Sequence, residues 1–279
     1  MQSGENFENR ILFLGTGTSS GIPVIGCRCA ACTSSDPRDR RTRTSALLQT
    51  RKSGEAEWGH LLIDSGIDLR YQLLREGAPL VRHVVYTHAH VDHFFGLDEL
   101  RAIQFVTRMP IHLYASEEVE RALRTVYRHL FETGVQKGGG ILEVEIHPLE
   151  DRFQAGPITL EALPIYHGKL PIHGFRFGNL AYLTDCSFIP DTTWPLLENV
   201  GVLVLDMLRK RPHPTHYNLD QALEVIERLK PKEAYFVHMT HDLVHADIEA
   251  ELPEGVFLAY DGLVVDLPSF DPHQWSRTS

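Results

Sequence analysis

Short apolar runs alternate with polar turns along this chain, and most of the runs have the length of a buried strand. The predicted strands occupy 11–14, 45–50, 60–64, 82–87, 111–114, 143–148, 158–166, 172–177, 180–184, 202–205 and 233–237, and two more lie between 255 and 267. Gly-rich turns and clusters of polar residues separate them, as expected for strands that end at a surface.

Apolar residues at helical spacing fall between these strands. The predicted helices cover 94–103, 116–131, 194–198, 218–229 and 242–252, and a further helix begins at Asp68 and buries Leu69, Leu73 and Leu74. Ser116 and Asn218 precede two of the helices as candidate N-caps. No internal repeat or Ser/Pro-rich linker divides the chain. The pattern predicts an α/β fold and one domain spanning residues 1–279.

Two Gly-rich segments stand out from this pattern. The stretch 15–21 follows the first strand but has neither the Lys of a phosphate-binding loop nor a full dinucleotide fingerprint, so we interpret it as a tight turn. The stretch 133–140 predicts either a flexible lid or a surface crossing.

One strand-to-helix loop carries the strongest chemical signal in the chain. It reads Thr87-His88-Ala89-His90-Val91-Asp92-His93, directly after the apolar run that ends at Tyr86. Imidazole and carboxylate are the usual ligands of zinc and similar divalent ions. His88 and His90 can bind one ion while Asp92 and His93 turn to a neighbouring ion. The alternative is a polar loop that is rich in histidine by chance.

Further candidate ligands stand where other apolar runs stop. His167 ends one strand, Asp185 follows another, and His238 follows a third. Side chains at the ends of separate strands can converge on one cleft. Taken singly, His167 or His238 is as well explained as a hydrogen-bonded structural histidine; together with the central loop they complete two metal sites.

Three of the four cysteines form a C-x-C-x-x-C cluster, namely Cys27, Cys29 and Cys32. This spacing is too tight for a disulfide framework and predicts three ligands of a tetrahedral zinc site, with the fourth ligand supplied from elsewhere in the chain. A redox role is the alternative. Cys186 stands apart and is interpreted as a packed small residue.

Length and charge narrow the range of functions. The chain has 279 residues, 43% of them hydrophobic, which is ample for a sizeable core. A net charge of −10 argues against a general nucleic-acid surface, although bound metal ions would still allow a small anionic substrate. The sequence has no apolar stretch of the ~20 residues that a membrane span requires, and no secretory signal, so we expect no membrane partner and a cytoplasmic location.

The motif from His88 to His93, together with His167, Asp185 and His238, resembles the metallo-β-lactamase superfamily over nearly the whole chain. The resemblance implies a four-layer αβ/βα sandwich with metals at one edge. It also implies a ligand set: one ion is bound by His88, His90 and His167, the other by Asp92, His93 and His238, and Asp185 bridges them. True β-lactamases usually have cysteine at the bridging position, which disfavours antibiotic hydrolysis.

The segment 26–32 resembles a zinc-binding insertion of the PhnP-type phosphodiesterases, which act on cyclic ribose phosphates. That resemblance implies a structural zinc bound by Cys27, Cys29, Cys32 and His241. It also implies an extra active-site histidine, His216. A protein that assists pyrroloquinoline quinone biosynthesis has a similar cysteine cluster but generally lacks the intact histidine motif. An RNA endonuclease is a further relative, and the acidic charge disfavours it.

The resemblance implies hydrolysis of a small phosphate ester, with cyclic esters among the candidates. A hydroxide bridging two divalent ions (zinc, manganese or iron) would attack phosphorus while Asp92 orients it, and His216 would act as general acid or hydrogen-bond donor. Hydrolysis of a thioester, lactone or lactam by the same metals stays open, as does a non-catalytic metal-dependent binding role. Members of this family are often dimers, so a homodimer is also open.

Overall fold

The computed structural model describes residues 6–132 and 140–273, and within them the strands form two sheets. The first sheet contains β1 (Phe7–Gly15), β2 (Ser45–Lys52), β3 (Gly59–Ile63), β4 (His83–Val85), β5 (Ile111–Ala115), β6 (Val144–Pro148) and β14 (Val264–Leu267). The second contains β7 (Arg152–Ala155), β8 (Ile158–His167), β9 (Leu170–Phe177), β10 (Leu180–Leu183), β11 (Val202–Asp206), β12 (Glu233–Val237) and β13 (Val256–Leu258).

Each sheet is antiparallel on one side and parallel on the other. The first sheet has the order β14-β1-β2-β3-β4-β5-β6 and is parallel from β3 to β6. The second has the order β13-β12-β11-β10-β9-β8-β7 and is parallel from β10 to β13. The parallel strands of one sheet end at a common edge, and that edge is where α/β folds place functional groups.

Helices flank the two sheets. The α-helices are α1 (Ala30–Thr33), α2 (Leu69–Arg75), α3 (Val91–Phe94), α4 (Arg101–Thr107), α5 (Glu117–Val126), α6 (Arg128–Phe131), α7 (Leu219–Leu229) and α8 (His245–Glu249). Short 3₁₀ turns lie at Pro37–Asp39, Leu97–Leu100 and Trp194–Leu197. Within the described residues, we find no helix with the length and apolar character needed to cross a bilayer.

Three apolar layers hold these elements together. Between the sheets, Phe13 and Leu48 of the first sheet pack with Phe175 of the second. The outer face of the first sheet packs against α2, α3 and α5, and the outer face of the second packs against α7 and α8. Strands such as β1 are therefore buried on both faces, which explains their near-continuous apolar runs. The predicted four-layer sandwich is confirmed.

Several local predictions differ from the structure. Asp68 occupies the N-cap position of α2 as predicted, but its side chain does not cap the helix, because its carboxylate accepts hydrogen bonds from the backbone and guanidinium of Arg43. Leu74 lies on the exposed side of that helix. The predicted helix 94–103 is interrupted after Phe94 by a 3₁₀ turn. The strand Arg152–Ala155 was not predicted, and helix 242–252 shrinks to His245–Glu249.

The two predicted N-caps are confirmed. Ser116 caps α5 through the backbone N–H of Val119, and Asn218 forms a complete capping box with Gln221 at the start of α7. The predicted Gly-rich lid or crossing lies outside the described residues except for Gly140.

Candidate metal centre

The candidate ligands occupy the ends of strands from both sheets. Asp64 follows β3 directly, His238 follows β12 directly, and Asp185 comes two residues after β10. All three have a backbone φ in the left-handed region, at 61°, 61° and 55° respectively. Non-glycine residues rarely adopt this conformation, and such strain is concentrated at functional sites. The chain thus turns sharply at each strand end.

Asp185 lies at the middle of the cluster. Its Oδ1 is 3.2 Å from Nε2 of His93, and its Oδ2 is 3.2 Å from Nε2 of His238. The same Oδ2 is 3.8 Å from Nε2 of His88. Asp185 is fully surrounded by protein, and its two oxygens face different imidazoles.

The other predicted ligands fall into groups around this carboxylate. In each group the candidate ligand atoms lie within 4.8 Å of one another: His90, His167 and Asp185; Asp92, His93 and His238; and His88, His93 and Asp185. All seven predicted active-site ligands are therefore brought together, with Asp185 between the two sides. Their assignment to particular ions stays a prediction.

Asp64 contacts the loop that carries the histidine motif through Thr87 and His93. Its Oδ2 is 2.8 Å from Nδ1 of His93 and accepts a hydrogen bond from Oγ1 of Thr87, while its Oδ1 accepts one from the Thr87 backbone N–H. Thr87 Oγ1 also lies 2.9 Å from Nδ1 of His88. A carboxylate on one imidazole nitrogen fixes the tautomer and directs the other nitrogen to the metal, as in many metal sites.

A second buried carboxylate faces the histidines of the second sheet, at longer distances. Asp206, the last residue of β11, has its Oδ1 3.4 Å from Nδ1 of His238 and 3.3 Å from Nδ1 of His216. His167 has its Nδ1 2.7 Å from the carbonyl oxygen of Thr215. The sequence analysis missed Asp206, although it obeys the signal used for the other ligands: a polar side chain where an apolar run stops.

His216 joins the cluster as predicted, although a catalytic role for it stays a prediction. Its ring stacks on that of His238 with centroids 4.7 Å apart, and its centroid is 4.5 Å from that of His167. Burial, followed by the neighbouring His238, lowers the pKa of His216 to about 4.

Buried nitrogen atoms that form no hydrogen bond show that this cluster fits divalent cations. Among the described residues, Nε2 of His93 and both ring nitrogens of His238 are buried and form no hydrogen bond. Orphaned polar atoms of this kind are costly and call for an explanation. Burial raises the pKa of Asp185, but the surrounding histidines pull it well below its usual range, so the carboxylate is ionised. The donor set suits a cation.

The cysteine cluster forms a second group of candidate ligands, and its histidine, His241, follows His238 by three residues. The Sγ atoms of Cys27, Cys29 and Cys32 lie 3.2, 3.5 and 3.6 Å from Nδ1 of His241. Sulfur and nitrogen ligands of a tetrahedral zinc are separated by about 3.6 Å, given bonds of ~2.3 and ~2.05 Å. The backbone N–H of Cys32 lowers the pKa of Cys29 to about 7, which favours the thiolate.

Cys186, in contrast, is buried in the core of the second sheet. Burial raises the pKa of its thiol, so it is no nucleophile. Its interpretation as a packed small residue agrees with this position.

Comparison with known proteins places the chain in a family. Residues 60–239 match the β-lactamase superfamily domain. A crystal structure of a diphosphatase from the PhnP family is 40% identical and superimposes with a TM-score of 0.84, covering 93% of this chain and 97% of that one.

Two sequence relatives extend the comparison. An octanoyltransferase of Porphyromonas gingivalis is 35% identical over 277 residues and 95% of this chain, but the chain spans only 54% of its length. Coenzyme PQQ synthesis protein B of Methylobacterium radiotolerans is 30% identical over 232 residues, covering 71% of this chain and 72% of that protein. The fold, the strand-end histidine and carboxylate cluster and these matches together show that the chain belongs to the metallo-β-lactamase superfamily of hydrolases and is close to the PhnP family.

Proposed function

We propose that this protein is a metal-dependent phosphodiesterase-type hydrolase that cleaves a P–O bond in a small phosphorylated substrate. One observation carries the proposal: the two oxygens of Asp185 face His93 and His238, in a chain 40% identical to a PhnP-family diphosphatase. Nε2 of His88 lies 3.8 Å from the oxygen that faces His238. A carboxylate shared by two groups of ligands is the arrangement that a two-metal centre requires.

The residues of the cluster would hold two divalent ions. His88, His90 and His167 would hold one, Asp92, His93 and His238 the other, and Asp185 both. Such ions lower the pKa of water toward ~7 and offset charge on phosphoryl oxygens. Zinc, manganese and iron all suit this donor set.

Asp92 is the residue we assign to orienting the attacking water. Its Oδ2 lies 3.5 Å from Nε2 of His93 and 3.6 Å from Nε2 of His238. Burial raises the pKa of this carboxyl, but the two histidines lower it below its usual range, so it stays ionised at neutral pH. An ionised carboxylate accepts a hydrogen bond from water and aligns it with the phosphorus atom.

His216 is the residue we assign to the leaving group. It packs on His167 and His238, so it lies beside both predicted ligand groups, and Asp206 positions its Nδ1. A phosphate anion bound beside it would favour the protonated ring, which can donate a hydrogen bond or a proton to a phosphate or leaving-group oxygen.

The space next to the histidines fits a small substrate. A cavity of about 220 Å³ is lined by His88 and His90, together with Leu170, Pro171 and Ser116. This is below the 300–1,000 Å³ that is common for drug-sized ligands. A compact phosphate ester is therefore favoured over an extended polymer.

Turnover of defined substrates tests the proposal. Metal-loaded protein is assayed with bis(p-nitrophenyl) phosphate and a nucleotide diphosphate ester, alongside Asp185→Asn, His216→Gln and the control Asp98→Asn, which changes a half-exposed side chain. We expect turnover in the wild type and the control, and a loss of at least about 100-fold in the other two variants. Metal-loaded wild-type protein that cleaves neither phosphate substrate would contradict the proposal.

A second candidate function is hydrolysis of an acyl thioester. It is favoured by the relative named octanoyltransferase, which matches 95% of this chain. An octanoyl thioester, assayed by release of its thiol, and nitrocefin as a lactam control separate the two candidates. Thioester turnover in the absence of phosphate-ester turnover would favour this candidate.

A further inference from the structure

A separate group of histidines lies on the first sheet, on the side that faces the second sheet. His83 of β4 is in register with His112 of β5, and His112 is in register with Glu145 of β6. His147 follows two residues after Glu145, so it shares the same face of β6. The active-site histidines follow the opposite end of β4: from His83 to His88 is about 16 Å along an extended chain.

We propose that His112, Glu145 and His147 form an additional binding site for a divalent transition-metal ion of the zinc type. Nδ1 of His112 lies 3.1 Å from Nε2 of His147 and 3.3 Å from Oε2 of Glu145. Ligands of a tetrahedral zinc with bonds of ~2.05 Å are separated by about 3.3 Å. Two of the separations thus match ligands around one ion, and all three atoms lie within 4.8 Å of one another.

Hydrogen bonding explains this arrangement poorly. Nδ1 of His112 faces both the carboxylate of Glu145 and the Nε2 of His147, and a neutral imidazole nitrogen carries at most one proton. A metal ion accepts a lone pair from all three atoms at once. Two imidazoles and one carboxylate are a donor set that zinc uses widely, with water in the fourth position.

Neighbouring aromatic rings hold the two imidazoles in place. The ring of His83 stacks on His112 with centroids 4.9 Å apart and an interplanar angle of 11°. Tyr114 stacks on His147 at 4.9 Å and 22°, and its hydroxyl accepts a hydrogen bond from the Gly156 backbone N–H. Ligands fixed by their surroundings lose little conformational entropy when they bind an ion.

The exposure and charge of the site also suit a cation. The Glu145 side chain is 56% exposed, so one side of the site is open to water. A bound ion would join β5 to β6, the edge strand of the first sheet, and would stabilise that pairing because it binds only the folded chain.

Zinc binding to matched variants tests this site. The wild type, His147→Ala, Glu145→Gln and the control His129→Ala, which removes an exposed histidine outside the cluster, are equilibrated at the same free Zn²⁺ concentrations. Bound zinc per chain is then measured by elemental analysis. Circular dichroism checks that each variant is folded, and the exposed position of Glu145 makes Glu145→Gln the safer of the two.

We expect one zinc more per chain at saturation in the wild type and in His129→Ala than in His147→Ala and Glu145→Gln. The affinity for that zinc should fall by more than about tenfold in both variants, since even loss of an outer hydrogen-bonding partner costs 10–100-fold. Hydrolytic turnover is expected to stay unchanged in Glu145→Gln. Equal zinc binding by the wild type and both variants, or loss of the extra zinc in His129→Ala as well, would overturn the proposal.

Discussion

Three residues of the metal centre combine a chemical role with an unusual backbone. Asp64, Asp185 and His238 each have a left-handed φ, although none is glycine. Such a conformation costs on the order of 1–3 kcal/mol and persists only where the surroundings over-determine it. Here it places a side chain at the point where a strand stops. Each of these residues contributes both the position of its side chain and its chemical character. A substitution that keeps the shape of the side chain but removes its charge therefore tests the charge alone.

Asp64→Asn keeps the shape of the side chain but removes the charge that fixes the Nδ1 proton of His93. We expect metal affinity to fall by about 10–100-fold, as for other lost partners of metal-bound histidines. Metal content after dialysis against a graded series of chelator concentrations measures this, with Asp98→Asn, at a half-exposed position, as control. Unchanged retention in Asp64→Asn would show that the carboxylate charge is dispensable.

His60, a residue outside the metal centre, makes the free energy of unfolding depend on pH. Burial, followed by the nearby Arg10, lowers its pKa to about 4 in the folded chain, against an ordinary value near 6.5. The unfolded chain therefore binds a proton first as the pH falls. The stabilisation is complete above pH ~6.5 and is lost as the pH falls toward ~4.

Replacing His60 with Gln should flatten this dependence. Between pH 7 and pH 5 we expect the wild type to lose about 1 kcal/mol more unfolding free energy than the variant, a figure reduced for solvent screening of a half-buried group. Urea unfolding at both pH values gives the difference, and the exposed His129→Gln serves as control. Parallel curves for the wild type and His60→Gln would exclude this role.

At the scale of elements, strand ends and helix starts organise the molecule. The parallel strands end at one edge of each sheet, and the candidate ligands follow those ends. Helix α7 begins at the capping box of Asn218 and Gln221, directly after the segment that carries His216. The cap thus sets where the chain leaves the metal centre.

Asn218→Ala should cost about 1 kcal/mol of unfolding free energy, because the backbone N–H of Gln221 loses its acceptor. Asn218→Gly should cost only a few tenths of that, since glycine is tolerated at this position. Urea unfolding of both variants measures the difference. Equal losses would indicate that the helix start depends on packing and not on the cap.

Sequence patterns predicted the features that follow a simple rule, such as ligands at strand ends. They failed where a contact between distant parts of the chain determines the local structure. The strand-end rule found the histidines and Asp185, and it would have found Asp206 had it been applied to β11. The sequence predicts that Asp68 caps a helix, but its carboxylate binds the guanidinium of Arg43, which lies 25 residues earlier in the chain. Periodicity alone does not encode such a partner.

At the scale of the whole molecule, the cysteine cluster joins the two sheets. Cys27, Cys29 and Cys32 lie in the connection after β1 of the first sheet, and His241 lies after β12 of the second. The buried ion pair of Arg41 and Asp39 lies in the same connection, and Arg41 donates a hydrogen bond to the carbonyl oxygen of Thr240. An ion bound by the cluster would cross-link the halves of the fold.

Cys29→Ser and His241→Ala should each remove this cross-link. We expect about three metal ions per chain in the wild type without added zinc and one fewer in each variant, with Tm lowered by at least about 4 °C, which corresponds to ~2 kcal/mol. Elemental analysis and thermal unfolding measure both quantities. Cys186→Ser is the control for metal content, since that buried thiol lies outside the cluster. If Cys29→Ser and His241→Ala lost no metal, a Cys/His zinc site would be refuted.

The pairing of β1 with β14 has a consequence for biosynthesis. Strand β1 leaves the ribosome before its partner β14, which follows roughly 250 residues later, on the order of 10–50 s at ordinary translation rates. During that interval one edge of an apolar strand has no neighbour, and an open edge is a template for association with other chains. Nascent chains therefore carry this open edge until Val264 and the rest of β14 have been synthesised, and a chaperone that binds during this interval would protect it.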